Sequence, residues 1–125
     1  MSQSPAPSAH DAVLTWMKEQ AIPVATLDPQ APLEDLVPFE QVVGNASIIG
    51  LGEASHGAHE FFVMKHRLLE FLVERMDFTM FAMEMGWMSA QRINEYVQTG
   101  RGDARELLKG NGYGIWNTEE VLDVI

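Results

Sequence analysis

Two uninterrupted apolar runs flank one amphipathic helix, and this order constrains the fold more than any other feature of the sequence. Residues 47–52 (SIIGLG) and residues 78–83 (FTMFAM) have strand length and lack the polar alternation of a half-exposed strand. Between them, residues from about Gly57 to Met76 repeat apolar side chains at helical spacing. Strand, helix and strand in this order predict a right-handed parallel β-α-β unit. The predicted fold class is therefore α/β, with a parallel β-α-β core from an incomplete multi-stranded sheet flanked by helices.

Further helices are predicted from capping residues and apolar spacing. Ser8 can cap a helix whose first turn contains Asp11, and Thr118, followed by two glutamates, begins another. Residues 1–8 are rich in Ser, Pro and Ala and are predicted to be a disordered tail. The other predicted helices are residues 33–43, residues 89–97 and residues 103–108, the last capped by Asp103.

The acidic balance and the absence of cysteine exclude several classes of partner and chemistry. Among 125 residues, 18 are Asp or Glu and 8 are Lys or Arg, for a formal net charge of −10. Such a surface repels phosphate backbones and anionic lipids, so neither nucleic acid nor a membrane is expected as a partner. Without cysteine there are no disulfides, thiolate nucleophiles or cysteine-bound metals. No signal peptide is visible, which predicts a cytoplasmic location.

Acidic residues follow both predicted strands, and a histidine lies close to the first. Glu53 comes directly after residues 47–52, and Glu84 comes directly after residues 78–83. The carboxyl ends of adjacent parallel strands meet at one edge of a sheet, about 5 Å apart, where open α/β sheets bind ligands. His56 lies in the turn that enters the helix and can act there as a general base. The sequence therefore predicts a catalytic site formed by His56, Glu53 and Glu84.

Spacing alone leaves other interpretations of these residues open. A single Glu after a strand is also typical of a solvated loop or a helix cap, and a single His in a turn is often structural. Glu53, His56 and Glu84 can alternatively be ligands in a metal-dependent hydrolase, although no diagnostic metal-binding spacing accompanies them. Trp87 and Trp116 follow turns that contain glycine, and they can line a substrate pocket or pack in the core.

Three motifs resemble the signature of the erythromycin esterase family, in the family's order. They are Gly52-Glu53-Ala54-Ser55-His56-Gly57 with the residues that follow to Arg67, then Phe81-Ala82-Met83-Glu84 with Trp87, and then Trp116-Asn117-Thr118-Glu119-Glu120. The resemblance covers about residues 33–125. It implies an α/β fold and a hydrolase that opens esters or macrolactones with an activated water molecule.

The resemblance also implies roles for the matching residues. His56 matches the general base, and Glu53 and Glu84 match the acidic residues that orient it and the water. Lys65 or Arg67 matches a basic residue near the site, and both are kept as candidates for substrate binding. The remaining predicted substrate contacts are Trp87 and Trp116. The implied substrate is a small-molecule ester, and no cofactor is implied.

Members of that family are several hundred residues long, so residues 9–125 are predicted to be the N-terminal part of an erythromycin esterase-like α/β domain. Two parallel strands are too few for a stable sheet, and both of its edges are open. The chain is therefore predicted to be an incomplete, inactive fragment of an esterase-type hydrolase. The alternative is a catalytically silent fragment that interacts with a partner, or with itself, through uncovered apolar faces.

Overall fold

The computed structural model describes residues 8–125, which form six α-helices and two short 3₁₀ helices. The tail predicted over residues 1–8 lies outside the described residues, except for Ser8. No helix within residues 8–125 is long and apolar enough to cross a membrane. In chain order the helices are α1 (Ala9–Gln20), a 3₁₀ helix (Glu34–Leu36), α2 (Phe39–Val43), α3 (His59–Met76), α4 (Trp87–Thr99), α5 (Ala104–Lys109), a second 3₁₀ helix (Gly114–Trp116) and α6 (Glu119–Leu122).

Three helices begin at the capping residues that the sequence predicts. The Ser8 hydroxyl accepts a hydrogen bond from the Asp11 backbone N–H at 3.1 Å, and the Asp11 carboxylate accepts one from the Ser8 N–H. Asp103 and Thr118 cap α5 and α6 in a similar way, each accepting from the backbone N–H three residues later. Each side chain satisfies an N–H that has no partner within its own helix. These predicted helix starts are confirmed.

The helix α3 organises the core, because both hydrophobic clusters of the described residues include it. Phe62 and Phe71 belong to different clusters, and their spacing places them on opposite sides of a helix with 3.6 residues per turn. α3 also contacts α6, while α5 contacts both α4 and α6. The buried residues of the first cluster are Phe62, Ile93, Leu108, Trp116 and Val121, and those of the second are Leu33, Leu36 and Phe71.

The predicted parallel β-α-β core is wrong, because residues 8–125 contain no strand. α3 does lie between the two apolar runs, but residues 47–52 and 78–83 form no regular element, and no backbone hydrogen bond joins them. Ile48 is 87% exposed and Met80 is 85% exposed, whereas a parallel strand is covered on both faces. Apolar composition predicts burial, but a strand also needs a hydrogen-bonded neighbour. The α/β class is therefore corrected to a helical arrangement in which two irregular apolar segments flank α3.

Candidate active site

A cavity of about 250 Å³ lies where residues 51–53, α3, residues 81–84 and residues 116–124 meet. Glu53 and Glu84, the two acidic residues predicted to share a site, both line it, although no sheet brings them together. Its apolar walls are formed by Leu51, Phe62, Leu69, Phe81, Ala82, Met83, Trp116, Val121 and Val124, and its polar groups are Glu53, Lys65, His66, Glu84 and Glu120.

Both oxygens of the Glu53 carboxylate are engaged. Oε1 lies 2.9 Å from Nδ1 of His56, and Oε2 accepts a hydrogen bond from the Lys65 ammonium. The Glu53 side chain is only 9% exposed, so little water competes for these bonds. The hydrogen bond from Lys65 is the largest cause of a lowered pKa at Glu53; burial acts in the opposite direction, and the hydrogen bond from His56 adds to the lowering. Glu53 is therefore an anion at neutral pH.

His56 is held at one ring nitrogen and open at the other. An ionised carboxylate only accepts hydrogen bonds, so in the neutral imidazole Nδ1 carries the proton towards Glu53 and Nε2 keeps its lone pair. Nε2 makes no hydrogen bond to the described part of the chain, and the side chain is 64% exposed. Gly57 turns the chain from His56 into α3 with a φ of 130°, which residues with side chains rarely adopt. The result is a carboxylate–imidazole pair with one free basic nitrogen.

Lys65 reaches Glu53 from α3 past two aromatic rings. Its Nζ lies 5.4 Å from the centre of the Phe62 ring and 5.9 Å from the centre of the Trp116 ring. The two rings pack edge to face, with centres 5.9 Å apart and planes at 86°. The Nε1–H of Trp116 donates a hydrogen bond to the backbone carbonyl of Glu84 at 2.7 Å. Trp116 therefore lines the cavity and also packs in the first hydrophobic cluster.

Arg67 and Trp87 do not line this cavity. Arg67 is fully buried, and its guanidinium donates to the Asp35 carboxylate and to two backbone carbonyls in residues 26–32. The hydrogen bond from Arg67 lowers the pKa of Asp35 to about 2. Trp87 is the first residue of α4 and is 74% exposed. Of the two basic candidates, the structure brings Lys65 to Glu53. The substrate contacts of all four candidates, Lys65, Arg67, Trp87 and Trp116, stay predictions.

A further ionisable pair lies beside the cavity and is not predicted from the sequence. Nδ1 of His59 lies 2.6 Å from Oε1 of Glu120, and this hydrogen bond raises the pKa of His59 and is the largest cause of a lowered pKa at Glu120. Glu120 and His66 line both the first cavity and a neighbouring one of about 290 Å³. The helical spacing of His59 and His66 places both histidines on one face of α3, but no local sequence pattern indicates that the partner of His59 is Glu120, 61 residues away.

The side chains do not form the metal site considered as an alternative. Within residues 8–125, no three His, Asp or Glu side chains converge as metal ligands. Glu53 bonds to Lys65 and His56, so a cation is already present at its carboxylate. The arrangement gives no support to Glu53, His56 and Glu84 as a set of metal ligands.

Glu53 lines the apolar cavity and holds His56, which does not itself line it, through a hydrogen bond. A carboxylate that orients a histidine is an arrangement used by hydrolases that activate water. The sequence model named erythromycin esterase matches residues 73–125. The chain is 36% identical over 92 residues to erythromycin esterase type II of Escherichia coli, a stretch that covers 74% of this chain and 22% of that protein. It is 33% identical over 97 residues to erythromycin esterase type I of Escherichia coli, which covers 75% of this chain and 22% of that protein.

A solved structure is similar as well. A crystal structure of a Bacillus cereus protein matches with a TM-score of 0.86 and 42% sequence identity, over 94% of this chain and 28% of that one. The chain belongs to the erythromycin esterase-like family and resembles the hydrolases in it. It spans about a quarter of the length of these relatives.

Proposed function

We propose that the chain carries the water-activating residues of an esterase-type hydrolase, with His56 as the general base. The observation that carries the proposal is the Glu53 carboxylate, which bonds His56 with one oxygen and Lys65 with the other. Similarity to two esterases supports it. The chain spans about a quarter of the length of these relatives. We therefore also propose that the chain holds only part of the active site, and that hydrolysis needs the rest of a family-length protein.

The reaction starts with a water molecule hydrogen-bonded to Nε2 of His56. The imidazole takes a proton from this water while its oxygen attacks the ester carbonyl carbon, and the Glu53 anion at Nδ1 stabilises the imidazolium that forms. The tetrahedral intermediate then collapses, the bond to the alkoxy oxygen breaks, and His56 returns the proton to the leaving oxygen. A carboxylic acid and an alcohol are released, and the imidazole is neutral again.

Other residues around the cavity support this step. Lys65 keeps Glu53 ionised and fixes its orientation, so that the imidazole is held in one tautomer. Glu84 lines the same cavity and orients the attacking water. The apolar walls, which include Trp116, receive the hydrocarbon part of a small-molecule ester.

The test compares the 125-residue chain with a family-length chimera, in which this chain replaces the matching segment of the Bacillus cereus relative. Hydrolysis of an aryl ester and of a macrolide is measured for both. We expect ester hydrolysis by the chimera, none by the chain alone, and a loss in kcat on the order of 100-fold or more for His56→Gln in the chimera. The matched control is His10→Gln, at an exposed position in α1. Near-normal rates with His56→Gln contradict the mechanism, and hydrolysis by the chain alone contradicts the partial site.

A second candidate function is association of the chain with another copy of itself. Ile48, Met80 and Trp87 are 87%, 85% and 74% exposed, so several large apolar side chains of this chain lie in contact with water. We propose that the apolar side chains of residues 78–83 contact a second copy, since Met80 and Phe81 are both exposed there.

A further inference from the structure

Trp116 contacts the backbone of Glu84 and the ammonium of Lys65 through different features of one side chain. Its Nε1–H donates to the backbone carbonyl of Glu84 at 2.7 Å. The face of its ring lies 5.9 Å from Nζ of Lys65, which in turn bonds Glu53. The residue is 9% exposed and packs against Phe62. One buried indole therefore connects the segment that carries Glu84 to the Lys65–Glu53 pair.

Apart from the apolar packing of Met83 and Met85 against the first hydrophobic cluster, the segment around Glu84 has few constraints. Residues 79–85 belong to no helix, and within the described part of the chain their backbone makes no hydrogen bond to other backbone groups. Glu84 itself is exposed. The indole N–H is therefore the hydrogen bond that, together with the packing of Met83 and Met85, fixes where the backbone of Glu84 lies. A buried indole N–H without this acceptor is left unsatisfied.

Lys65 also needs a constraint to stay on Glu53. A lysine side chain has four rotatable bonds and many rotamers, so an ion pair alone holds it loosely. The rings of Phe62 and Trp116 lie within 6 Å of its ammonium, at distances of 5.4 and 5.9 Å, and attract it through their π-systems. The aromatic pair limits Lys65 to the side of the cavity on which Glu53 lies.

We infer that Trp116 is a positioning residue for hydrolysis: its N–H fixes Glu84 at the cavity, and its ring confines Lys65 against Glu53. This inference rests on the proposed hydrolytic function. A purely structural tryptophan stabilises the fold through its buried ring, whereas a positioning tryptophan also affects the backbone of Glu84 and the pKa of Glu53, so these two readouts distinguish the roles.

The first test needs no activity and uses hydrogen exchange of the indole N–H groups in the 125-residue chain. The chain has three tryptophans, and the other two, Trp16 and Trp87, are internal controls because they are 62% and 74% exposed. We expect the Trp116 N–H to exchange at least about tenfold more slowly than the other two, because it is buried and bonded. Exchange at the rate of Trp16 and Trp87 overturns the inference.

The second test compares two substitutions that separate the N–H from the ring. Trp116→Phe keeps an aromatic face and loses the donor, so we expect altered backbone chemical shifts at Glu84 and Met85 with an unchanged pKa of Glu53. In the chimera the same variant should lower kcat by roughly 10- to 100-fold with little change in KM, as expected for a misplaced catalytic group. Trp116→Leu loses both features, so the pKa of Glu53 should rise as well.

Trp16→Phe, in exposed α1, is the control and should change none of these quantities. Unchanged shifts at Glu84 in Trp116→Phe, or an unchanged pKa of Glu53 in a folded Trp116→Leu, overturns the inference. A chimera without hydrolysis contradicts the proposed function, while the exchange and shift measurements on the chain still decide the position of Glu84.

Discussion

At the level of single residues, the candidate site depends on one carboxylate with two different partners. The Lys65 ammonium keeps Glu53 ionised, and ionised Glu53 fixes the ring of His56. The charge of Lys65, more than its volume, sets the pKa of Glu53, because a hydrogen-bonded cation favours the carboxylate form. A change at Lys65 is therefore expected to act on His56 without touching it.

Lys65→Met removes the ammonium and keeps an unbranched apolar side chain. We expect the pKa of Glu53 to rise, because the largest cause of its lowering is gone while burial still opposes ionisation. Carboxyl carbon NMR titration of the chain measures this, and the acid limb of the pH–rate profile of the chimera should move to higher pH. Lys109→Met, in an exposed pair with Glu106, is the matched control. If Glu53 titrates identically in wild type and Lys65→Met, the role given to Lys65 is wrong.

The contact between Glu53 and His56 was predictable in part, because both lie in one turn of the sequence. The choice between Lys65 and Arg67 was not. These two residues are separated by about 200° around a helix, so they point to different sides of α3. Both are long cations, and only the packing of the loop before α2 determines that Arg67 is buried against Asp35.

At the level of elements, Arg67 joins the segment before α2, which contains the first 3₁₀ helix, to the middle of α3. Its guanidinium is fully buried and bonds Asp35 at 2.7 and 3.0 Å together with two backbone carbonyls. The second hydrophobic cluster joins the same two parts of the chain through Leu33, Leu36 and Phe71. The loop is therefore held by a buried ion pair and by apolar contacts at once.

Asp35→Asn removes the charge that balances Arg67 and keeps the size of the side chain. We expect the free energy of unfolding to fall by about 3–5 kcal/mol, because a buried cation loses its counter-ion. Glu34→Gln, one position earlier, breaks an exposed pair with Arg75 and should cost less than about 1 kcal/mol. Urea unfolding measures both. Equal losses in the two variants would mean that backbone carbonyls alone satisfy Arg67.

The Arg67–Asp35 pair also makes the free energy of unfolding depend on pH in the acid range. The pKa of Asp35 is lowered from its ordinary 3.8 to about 2, so its stabilisation is fully present only well above pH 3.8 and is lost as the pH falls through 2. The amide that Asp35→Asn introduces does not titrate. The free energy of unfolding of this variant should therefore depend less steeply on pH in this range than that of the wild type.

The contact between His59 and Glu120 connects the first turn of α3 to α6 and has the opposite dependence. The hydrogen bond to Glu120 raises the pKa of His59, so the pair stabilises the fold below the ordinary value of 6.5 and loses this effect as the pH rises through the raised value. We expect the free energy of unfolding to decrease as the pH rises from the ordinary value of 6.5 through the raised pKa of His59. The decrease should be smaller in His59→Gln and unchanged in His10→Gln. Identical slopes in all three proteins would contradict the prediction.

The helices were easier to predict than the rest of the fold because their signals are local. Asp103 accepts from a backbone N–H in the next turn, and the periodicity from about Gly57 to Met76 gives α3 within two residues. The prediction of two strands was wrong because a strand depends on hydrogen bonds to a partner far along the sequence. Residues 47–52 and 78–83 are apolar enough for burial, but they are not paired in the described chain.

At the level of the whole molecule, the candidate cavity is assembled from four separate parts of the chain. Glu53 precedes α3, Lys65 lies within it, Glu84 precedes α4, and Trp116 belongs to the second 3₁₀ helix. No periodicity in the sequence predicts that these four parts of the chain come together around one cavity. The order of the motifs predicted which residues to consider, while the hydrogen bond between Trp116 and the Glu84 backbone appears only in three dimensions.

In the proposed association of two copies, burial of exposed apolar area favours the dimer, whereas the net charge of −10 on each copy opposes it. Met80→Glu places a charge within the proposed contact, whereas Gln91→Glu adds the same charge at an exposed polar position of α4. We expect sedimentation equilibrium to give concentration-dependent association for wild type and Gln91→Glu, and a weaker association for Met80→Glu, because only that charge must be desolvated in the contact. Equal weakening by both substitutions would assign the effect to net charge, and a wild type that stays monomeric at every concentration would contradict the proposal.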